Sequence, residues 1–273
     1  MITAVHFLLT YTCNFACDHC FLFCGPHSDG VFTLNRLRHA FAQIRELEAV
    51  DSVFFEGGEP FLFYPLMLEG IRMARKQGLG VGVVTNSYWA TALEDAVLWL
   101  KPMKELGLSN ISLSDDEYHF GERDPSPAKT ASNAAQTLGL PAGTIRIGDL
   151  QEGLMVRGRA VEHVTAEMPR RSWDELTECP YEDLAEPKRV HLDPFCHVHI
   201  CQGLCMGNTN DKSVKALDTD YDANNHPVCG PLLKGGPALL TETFGVDHDE
   251  QYVDECHLCY SPDWLSWTDS PST

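Results

Sequence analysis

Two spacings of hydrophobic residues alternate along the first 150 residues of the chain. Val5, Phe7 and Leu9 occupy every second position, which predicts a β-strand, whereas Leu37 and Phe41 recur at the spacing of a helix. Strands alternating with helices of this length predict βα units and a parallel sheet. Further strands are predicted at 52–55, 79–84, 110–114 and 144–147, and helices at 34–49, 65–77, 91–106 and 127–138.

Beyond about residue 165 the pattern changes. Residues 190–193 and 197–200 alternate apolar and polar positions around a turn that begins at Asp193, which predicts a β-hairpin. Residues 207–237 are rich in Gly, Asn, Asp and Pro and are interpreted as a loop, and a short helix is expected to hold Cys256 and Cys259. This change predicts two domains, at residues 1–165 and 166–273.

The charge and hydropathy of the chain narrow the classes of partner. Twenty basic and 39 acidic residues give a formal charge of −19, without a cluster of Lys and Arg that could displace counterions from phosphates. We therefore expect no nucleic-acid partner. The sequence has neither a secretory signal nor an apolar run of about 20 residues, so a cytoplasmic protein without a membrane partner is expected.

Polar residues follow the predicted strands at the points where they end, at 13–20, 57–60, 85–86 and 112–116. Because the carboxyl ends of parallel strands meet at one edge of a sheet, these residues predict a single active-site rim. Asp115 and Asp116 lie on this rim and could act as acid or base, as could Glu117 and His119, although a structural role in the loop is the alternative.

Eleven cysteines fall in two groups, at 13–24 and 179–259, and in a cytosolic chain they indicate metal or redox chemistry rather than disulfides. Cys13, Cys17 and Cys20 have the spacing C-x3-C-x2-C and can wrap one metal centre. Zinc usually takes four ligands, whereas three thiolates suit a [4Fe–4S] cluster with one open iron. A structural zinc or a simple electron-transfer cluster remains the alternative.

This motif resembles the signature of the radical S-adenosylmethionine (AdoMet) superfamily, C-x3-C-x-aromatic-C, with His19 at the aromatic position. The resemblance implies that the three thiolates hold a [4Fe–4S] cluster whose open iron chelates AdoMet. It also implies that reduction cleaves AdoMet to a 5′-deoxyadenosyl radical, that His19 contacts the adenine, and that a flavodoxin or ferredoxin donates the electron.

Other segments resemble the same family at the expected strand ends. Gly57, Gly58, Glu59 and Pro60 match its GGEP motif, where the carboxylate would accept hydrogen bonds from the methionine ammonium. The resemblance implies further AdoMet contacts from the third, fourth and fifth strands, by Thr85, Asn86, Ser112, Ser114 and Arg146, with Ser87 in the place of a family glycine. Ordinary polarity at strand ends is the alternative.

The second cysteine group resembles a SPASM or shorter twitch extension that holds an auxiliary [4Fe–4S] cluster. The resemblance favours Cys179, Cys201, Cys256 and Cys259 as ligands, with Cys229 as the main rival and zinc as the alternative metal. Cys24, Cys196 and Cys205 are interpreted as plain thiols. His191, His197 and His199 also suggest a metal, but a solvated or packed hairpin face is the preferred interpretation.

The implied fold is α/β, a partial (βα)6-type parallel barrel with a small C-terminal cysteine-rich extension that contains a β-hairpin. The sixth unit is expected to be abbreviated, because the chain between Ile147 and Leu154 is too short for a crossover helix. The resemblance favours a peptide or protein maturase. A small-molecule enzyme is the alternative, since the chain begins almost directly with the first strand, and a non-catalytic iron–sulfur or zinc protein is a third hypothesis.

Overall fold

The computed structural model describes residues 1–121, 124–148 and 153–260. In its first part, strands and helices alternate as the hydrophobic pattern predicts. The strands are β1 (Ala4–Thr10), β2 (Ser52–Gly57), β3 (Gly80–Thr85), β4 (Asn110–Ser114) and β5 (Ala142–Ile145), and the helices are α1 (Leu34–Ile44), α2 (Tyr64–Lys76), α3 (Leu93–Glu105), α4 (Glu117–Phe120) and α5 (Pro127–Thr137).

Shorter elements follow in the second part of the chain. They are α6 (Ala160–His163), β6 (Arg171–Ser172), β7 (Arg189–Leu192), β8 (His197–Cys201), β9 (Leu204–Asn208), α7 (Val214–Asp220), α8 (Cys229–Phe244), β10 (Gln251–Tyr252) and α9 (Glu255–Cys259). The predicted β-hairpin is confirmed as β7 and β8, and Cys256 and Cys259 lie on the predicted short helix α9.

Within the described residues the main sheet has the strand order β5-β4-β3-β2-β1-β7-β8-β9. Strands β1 to β5 pair in parallel, and β7 pairs in parallel with the free edge of β1, with Ala4 opposite Arg189. β8 and β9 then add antiparallel strands. The α/β class and the open, partial barrel are therefore confirmed.

The two faces of the sheet have different surroundings. Val5, Phe7 and Leu9 of β1 belong to a hydrophobic core that also contains Leu37 of α1 and Ile71 of α2. Because side chains alternate along a strand, the residues between them point to the opposite face, called here the inner face. His6 and Leu8 therefore lie on the inner face, and register places Phe54 and Glu56 of β2 beside them.

Two predictions of secondary structure need correction. The segment 207–237 is not a loop, because it contains α7 and the first half of α8; the latter tolerates its glycines by kinking at Gly235 and Gly236. The fifth strand ends at Ile145, so Arg146 follows the strand and does not lie on it.

Between β5 and β7, the described residues add no parallel strand to the main sheet, since β6 pairs only with β10. This agrees with the abbreviated sixth unit, although residues 149–152 of that segment lie outside the described residues. The division at residue 165 stays a prediction, because β7, β8 and β9 extend the same sheet as β1. In the part of the chain that the structure describes, no helix has the length and hydrophobicity to cross a membrane.

Candidate active site

The structure brings the first cysteine group to one cavity at the carboxyl ends of β1 to β5. Cys13, Cys17 and Cys20 all line this cavity, which has a volume of about 220 Å³. We call it the rim cavity. Its other walls come from strand ends and the loops after them, and they include Gly57, Gly58, Thr85, Asn86, Ser114 and Asp116. Sequence positions more than 100 residues apart thus converge on the three thiols.

The three thiols differ in their readiness to ionise. A hydrogen bond from the Cys24 thiol lowers the pKa of Cys20 to about 6, whereas burial raises the pKa of Cys13 to about 12. Since the thiolate is the form that binds metals, Cys20 is already ionised at neutral pH and Cys13 must lose a proton on binding. Cys24, interpreted from sequence as a plain thiol, is buried and also lines the rim cavity.

Gly57 and Gly58 hold the cysteine loop against the end of β2. A Cβ atom on Gly57 would lie 2.4 Å from the carbonyl oxygen of Thr10, and one on Gly58 would lie 2.1 Å from that of Thr12. Two backbone hydrogen bonds cross the same contact, from the amide of Gly58 to Thr10 and from that of Glu59 to Thr12. The glycines are therefore required by the approach of two backbone segments, before any ligand is considered.

Glu59 is fully buried and joins this loop to the end of β3. One carboxylate oxygen accepts hydrogen bonds from the amide of Phe61 at 3.0 Å and from Thr85 Oγ1 at 2.8 Å, and the other accepts from the amide of Asn86 at 2.8 Å. Burial raises the pKa of Glu59 to about 7, although these hydrogen bonds oppose the shift. Glu59 and Pro60 do not contribute to the walls of the rim cavity that the described residues form, and the contact of Glu59 with AdoMet stays a prediction.

Asn86 connects the end of β3 to the cysteine loop. Its Nδ2 lies 3.6 Å from Cys13 Sγ and donates to Asn14 Oδ1 at 2.9 Å. The next residue, Ser87, is fully buried with a φ of 63°, in the left-handed region that favours glycine. Ser87 therefore adopts the left-handed backbone conformation that a glycine at this position would favour.

Ser114 lines the rim cavity, and Ser112 lies on the same inner face one pair of residues further from the rim. Arg146 is placed elsewhere. Its exposed guanidinium donates to Asp115 Oδ2 at 3.0 Å, and both residues line a larger groove of about 960 Å³ beside the rim cavity. The predicted contact between Arg146 and AdoMet would require this side chain to leave Asp115.

His19 lies against an aromatic and imidazole cluster at the wall of the rim cavity. Its ring is 4.5 Å from that of Tyr118 and 5.2 Å from that of His119, and burial lowers the pKa of His19 to about 4. His119 Nδ1 is 2.7 Å from Asp116 Oδ1. Burial opposes protonation of His119, but hydrogen bonds to Asp116 and the Cys17 sulfur raise its pKa to about 10. Asp116 and His119 thus form a charged pair at the rim.

The second cysteine group also converges. Cys179, Cys201, Cys256 and Cys259 line one cavity of about 290 Å³, called here the distal cavity. Burial raises the pKa of all four thiols, and the positive charge of Arg157 offsets this effect at Cys179, Cys201 and Cys256. The rival Cys229 is buried and packs behind this cavity, close to Tyr221.

Two further cysteines lie apart from both cavities. Cys196 is buried with a φ of 75°, at the turn where the family resemblance placed a glycine, and Cys205 is exposed on β9. Their positions agree with the interpretation of both as thiols outside the metal sites.

The segment Arg157-Gly158-Arg159 joins the two cavities. The Arg157 guanidinium is buried, contacts Glu182 at 3.2 Å and lies 5.2 Å from the ring of Phe21 in the cysteine loop. Arg159 donates to the carbonyls of Cys17 and Cys24 at 2.7 Å each. Gly158 is needed between them, because a Cβ there would lie 2.6 Å from the backbone of Phe21.

Sequence reasoning missed Glu56, which lies on the inner face and is one of the residues that line the rim cavity. It also lies 3.1 Å from His6 Nδ1 and 3.0 Å from His191 Nε2. Because side chains alternate along β2, Glu56 lies on the same face as Phe54, directly before the two glycines, and this alternation was the signal that could have identified it. His191 likewise lies on the inner face and is buried, so of the solvated and packed faces that the sequence left open, the packed face applies to this residue.

Residues 7–125 match the family model of the radical SAM superfamily. Over 107 residues, or 39% of this chain, the sequence is 24% identical to YydG of Bacillus subtilis (strain 168), which is named for peptide biosynthesis. Over 86 residues, or 32% of this chain, it is 31% identical to an S-adenosylmethionine-dependent nucleotide dehydratase of Selenomonas ruminantium. The matched segments make up 34% and 30% of these two relatives, so the chain spans about a third of their length.

Two solved structures of BtrN have a similar fold. The complex with AdoMet and 2-DOIA is 15% identical, with a TM-score of 0.58, and the match covers 81% of this chain and 83% of that chain. An open conformation of BtrN is 13% identical, with a TM-score of 0.50, and the match covers 81% of both chains. At these identities the likeness shows the fold alone. Residues 7–125, which contain the three clustered cysteines and the strand-end motifs, form a radical SAM domain, and the chain is an enzyme.

Proposed function

We propose that this enzyme reductively cleaves AdoMet and uses the product to remove a hydrogen atom from a substrate. The observation that carries the proposal is the convergence of Cys13, Cys17 and Cys20 on one cavity with the strand-end residues of the family motifs. The family implies a [4Fe–4S] cluster and AdoMet. Bound together, they would supply an electron that splits the C5′–S bond and yields a 5′-deoxyadenosyl radical.

The residues of the rim cavity fit these two groups. Cys24, the fourth cysteine of the cavity, lies outside the motif and donates a hydrogen bond to Cys20, which lowers the pKa of Cys20. The three thiols of the motif suit a cluster with one open iron. His19 Nδ1 and Asp116 Oδ2 are buried without a hydrogen-bond partner among the described residues. Since buried polar atoms are normally paired, we assign these two atoms to ligand contacts, with His19 beside the adenine.

Other residues orient and order the site. Asn86 would stabilise charge on Cys13 through its amide, because Nδ2 faces the sulfur. Arg159 fixes the cysteine loop through two carbonyls, so the three thiols keep their relative positions. The charged pair of Asp116 and His119 can hold or move a proton at the mouth of the cavity, which is the role expected of an acid or base on the rim.

We propose that the distal cavity holds one auxiliary [4Fe–4S] cluster on Cys179, Cys201, Cys256 and Cys259. Four thiols on one cavity support a metal there, and the buried Arg157 supplies countercharge for the thiolates. Anaerobically reconstituted protein should contain about eight irons per chain, and the Cys256→Ser variant about four. The Cys229→Ser variant, with a buried thiol outside the cavity, should keep about eight. If the wild type contains about four irons and one zinc per chain, the distal cavity holds zinc and not an auxiliary cluster.

For the substrate we propose a peptide or protein. The similarity to YydG, named for peptide biosynthesis, supports this. The groove of about 960 Å³ that adjoins the rim cavity falls within the range of about 300–1,000 Å³ for small-molecule sites, so its volume does not separate the two substrate classes. A flavodoxin or ferredoxin is the proposed electron donor.

A small-molecule substrate is the second candidate. The similarity to a nucleotide dehydratase supports it. The two candidates are separated by adding cell-extract fractions to reduced, AdoMet-loaded enzyme and measuring 5′-deoxyadenosine. Stimulation that disappears after protease treatment of the fraction supports a peptide or protein, and stimulation that survives it contradicts that substrate class.

A further inference from the structure

Two histidines and one glutamate meet on the inner face of the sheet, apart from both cysteine groups. His6 comes from β1, Glu56 from β2 and His191 from β7. His6 Nδ1 is 3.1 Å from one Glu56 oxygen, and His191 Nε2 is 3.0 Å from the other. Their side chains are only 13%, 14% and 5% exposed, respectively. Three adjacent strands therefore direct three potential metal ligands into one nearly buried space.

The contacts within this cluster leave ring nitrogens unsatisfied. His6 Nδ1 makes no hydrogen bond of acceptable geometry among the described residues, although it lies close to the carboxylate of Glu56, and His191 Nδ1 also has no partner there. Buried polar atoms are normally paired, so hydrogen bonds within the cluster do not account for His6 Nδ1, which faces the Glu56 carboxylate. A cation between the ring nitrogens and the carboxylate would satisfy the atoms that face one another.

The spacing of these atoms fits a metal ion. Two ligand atoms that each lie about 2.1 Å from one metal, at right angles, are about 3.0 Å apart. The distances from Glu56 to His6 and His191 are 3.1 and 3.0 Å. Two imidazoles and one carboxylate form a ligand set for divalent first-row transition metals that leaves coordination positions open.

We propose that His6, Glu56 and His191 bind a divalent first-row transition metal ion at the inner end of the rim cavity. Glu56 is both a member of this cluster and part of the cavity wall. Through Glu56, an ion at this position would adjoin the space in which substrate and AdoMet are proposed to meet. The ion would therefore bind an oxygen-bearing group of the substrate, such as a hydroxyl or carboxylate.

Neighbouring residues hold the His6 ring in place. The ring of Phe54 stacks on it at 4.5 Å between centroids, with an angle of 20° between the planes. Opposite Phe54, β3 has Gly82, where a Cβ atom would lie 2.3 Å from the Phe54 ring. The glycine thus makes space for the aromatic ring that fixes the imidazole, and ordered ligands of this kind are typical of metal sites.

Among residues 1–121, 124–148 and 153–260, two other clusters combine two histidines with one carboxylate, but each of them already makes other contacts. Asp116 and His119 belong to the rim cavity, together with His19. Asp193 accepts hydrogen bonds from Tyr11 Oη and from the backbone of its own turn, and the side chain of its neighbour His197 is 44% exposed. These clusters supply matched controls.

The test is a titration of cluster-loaded, oxidised protein with Mn²⁺, which prefers nitrogen and oxygen ligands to thiolates. The loss of the EPR signal of free Mn²⁺ measures binding. We expect one Mn²⁺ per chain, and an affinity at least about tenfold lower for the Glu56→Gln and His191→Gln variants. The Asp193→Asn variant should bind as the wild type does. Iron content per chain checks that each variant keeps its cluster site.

Electron spin-echo measurements on the wild type test the same site without any variant, so the test does not depend on whether a variant folds. Bound Mn²⁺ should show coupling to imidazole nitrogen. The proposal is overturned if no Mn²⁺ binds, if the imidazole coupling is absent, or if Glu56→Gln binds Mn²⁺ as tightly as the wild type does. Since the readout is metal binding, the result is independent of whether the protein cleaves AdoMet.

Discussion

At the scale of single residues, Gly58 shows how closely the cysteine loop is packed against β2. Replacing Gly58 by Ala would place a Cβ atom 2.1 Å from the Thr12 carbonyl, a contact that the backbone can relieve only by moving the loop. We expect the free energy of unfolding to fall by about 3 kcal/mol, and iron binding to the first cysteine group to weaken.

Chemical denaturation and iron analysis of Gly58→Ala measure both effects. Gly143→Ala is the control, because a Cβ atom there meets nothing within 4 Å and should change stability by less than about 1 kcal/mol. Equal stabilities of the two variants would show that the close contact between residue 58 and the Thr12 carbonyl does not destabilise the fold.

Glu59 should make stability depend on pH. Its pKa of about 7 in the folded protein lies above the ordinary value of 4.5, so the folded state binds more protons than the unfolded state between these values. Stability from this carboxyl is therefore present at low pH and is lost as the pH rises toward 7. Between pH 5.5 and 8 the expected loss is about 2 kcal/mol.

The Glu59→Gln variant isolates this contribution, because an amide does not titrate. The difference in unfolding free energy between wild type and variant should shrink as the pH rises from 5.5 to 8. A difference that stays constant, or grows, would contradict the raised pKa of Glu59.

At the scale of elements, the segment of residues 157–159 is expected to stabilise the contact between the cysteine loop and the distal cavity. Arg157→Met removes a buried ion pair with Glu182 and the contact with Phe21. We expect a loss of about 3 kcal/mol and weaker metal binding at the distal cavity. The measurement is denaturation together with iron content.

Arg189 offers a matched control for Arg157, because it contacts the same Glu182 at 2.9 Å but its side chain is 46% exposed. Arg189→Met should cost no more than about 1 kcal/mol, as for other solvated ion pairs. If both arginine variants lose the same stability, the burial of Arg157 has no special effect.

The order of strands and helices in the first half could be predicted because each element has a clear hydrophobic period, as in β1 and α1. The helices α7 and α8 were missed, since Gly, Asn and Pro in that segment indicate turns by their local preferences. α8 forms nevertheless because Leu232 and Leu240 pack into a separate small core behind the distal cavity. Such tertiary packing overrides propensity and cannot be read from a local window.

At the scale of the whole molecule, motifs indicated which cysteines group together, but not what surrounds them. The cluster of His6, Glu56 and His191 depends on β7 pairing with β1, across more than 180 residues of sequence. Neither periodicity nor motif spacing specifies that pairing. The residues that meet on the inner face therefore follow from long-range strand pairing, whereas the residues of the rim could be identified from local sequence motifs.

The central claim is that this enzyme cleaves AdoMet reductively on the cluster held by Cys13, Cys17 and Cys20. The most direct test is to incubate anaerobically reconstituted protein with dithionite and AdoMet and to quantify 5′-deoxyadenosine. We predict that the wild type forms 5′-deoxyadenosine and that the Cys17→Ala variant does not. Absence of 5′-deoxyadenosine from fully iron-loaded, reduced wild-type protein would contradict the account.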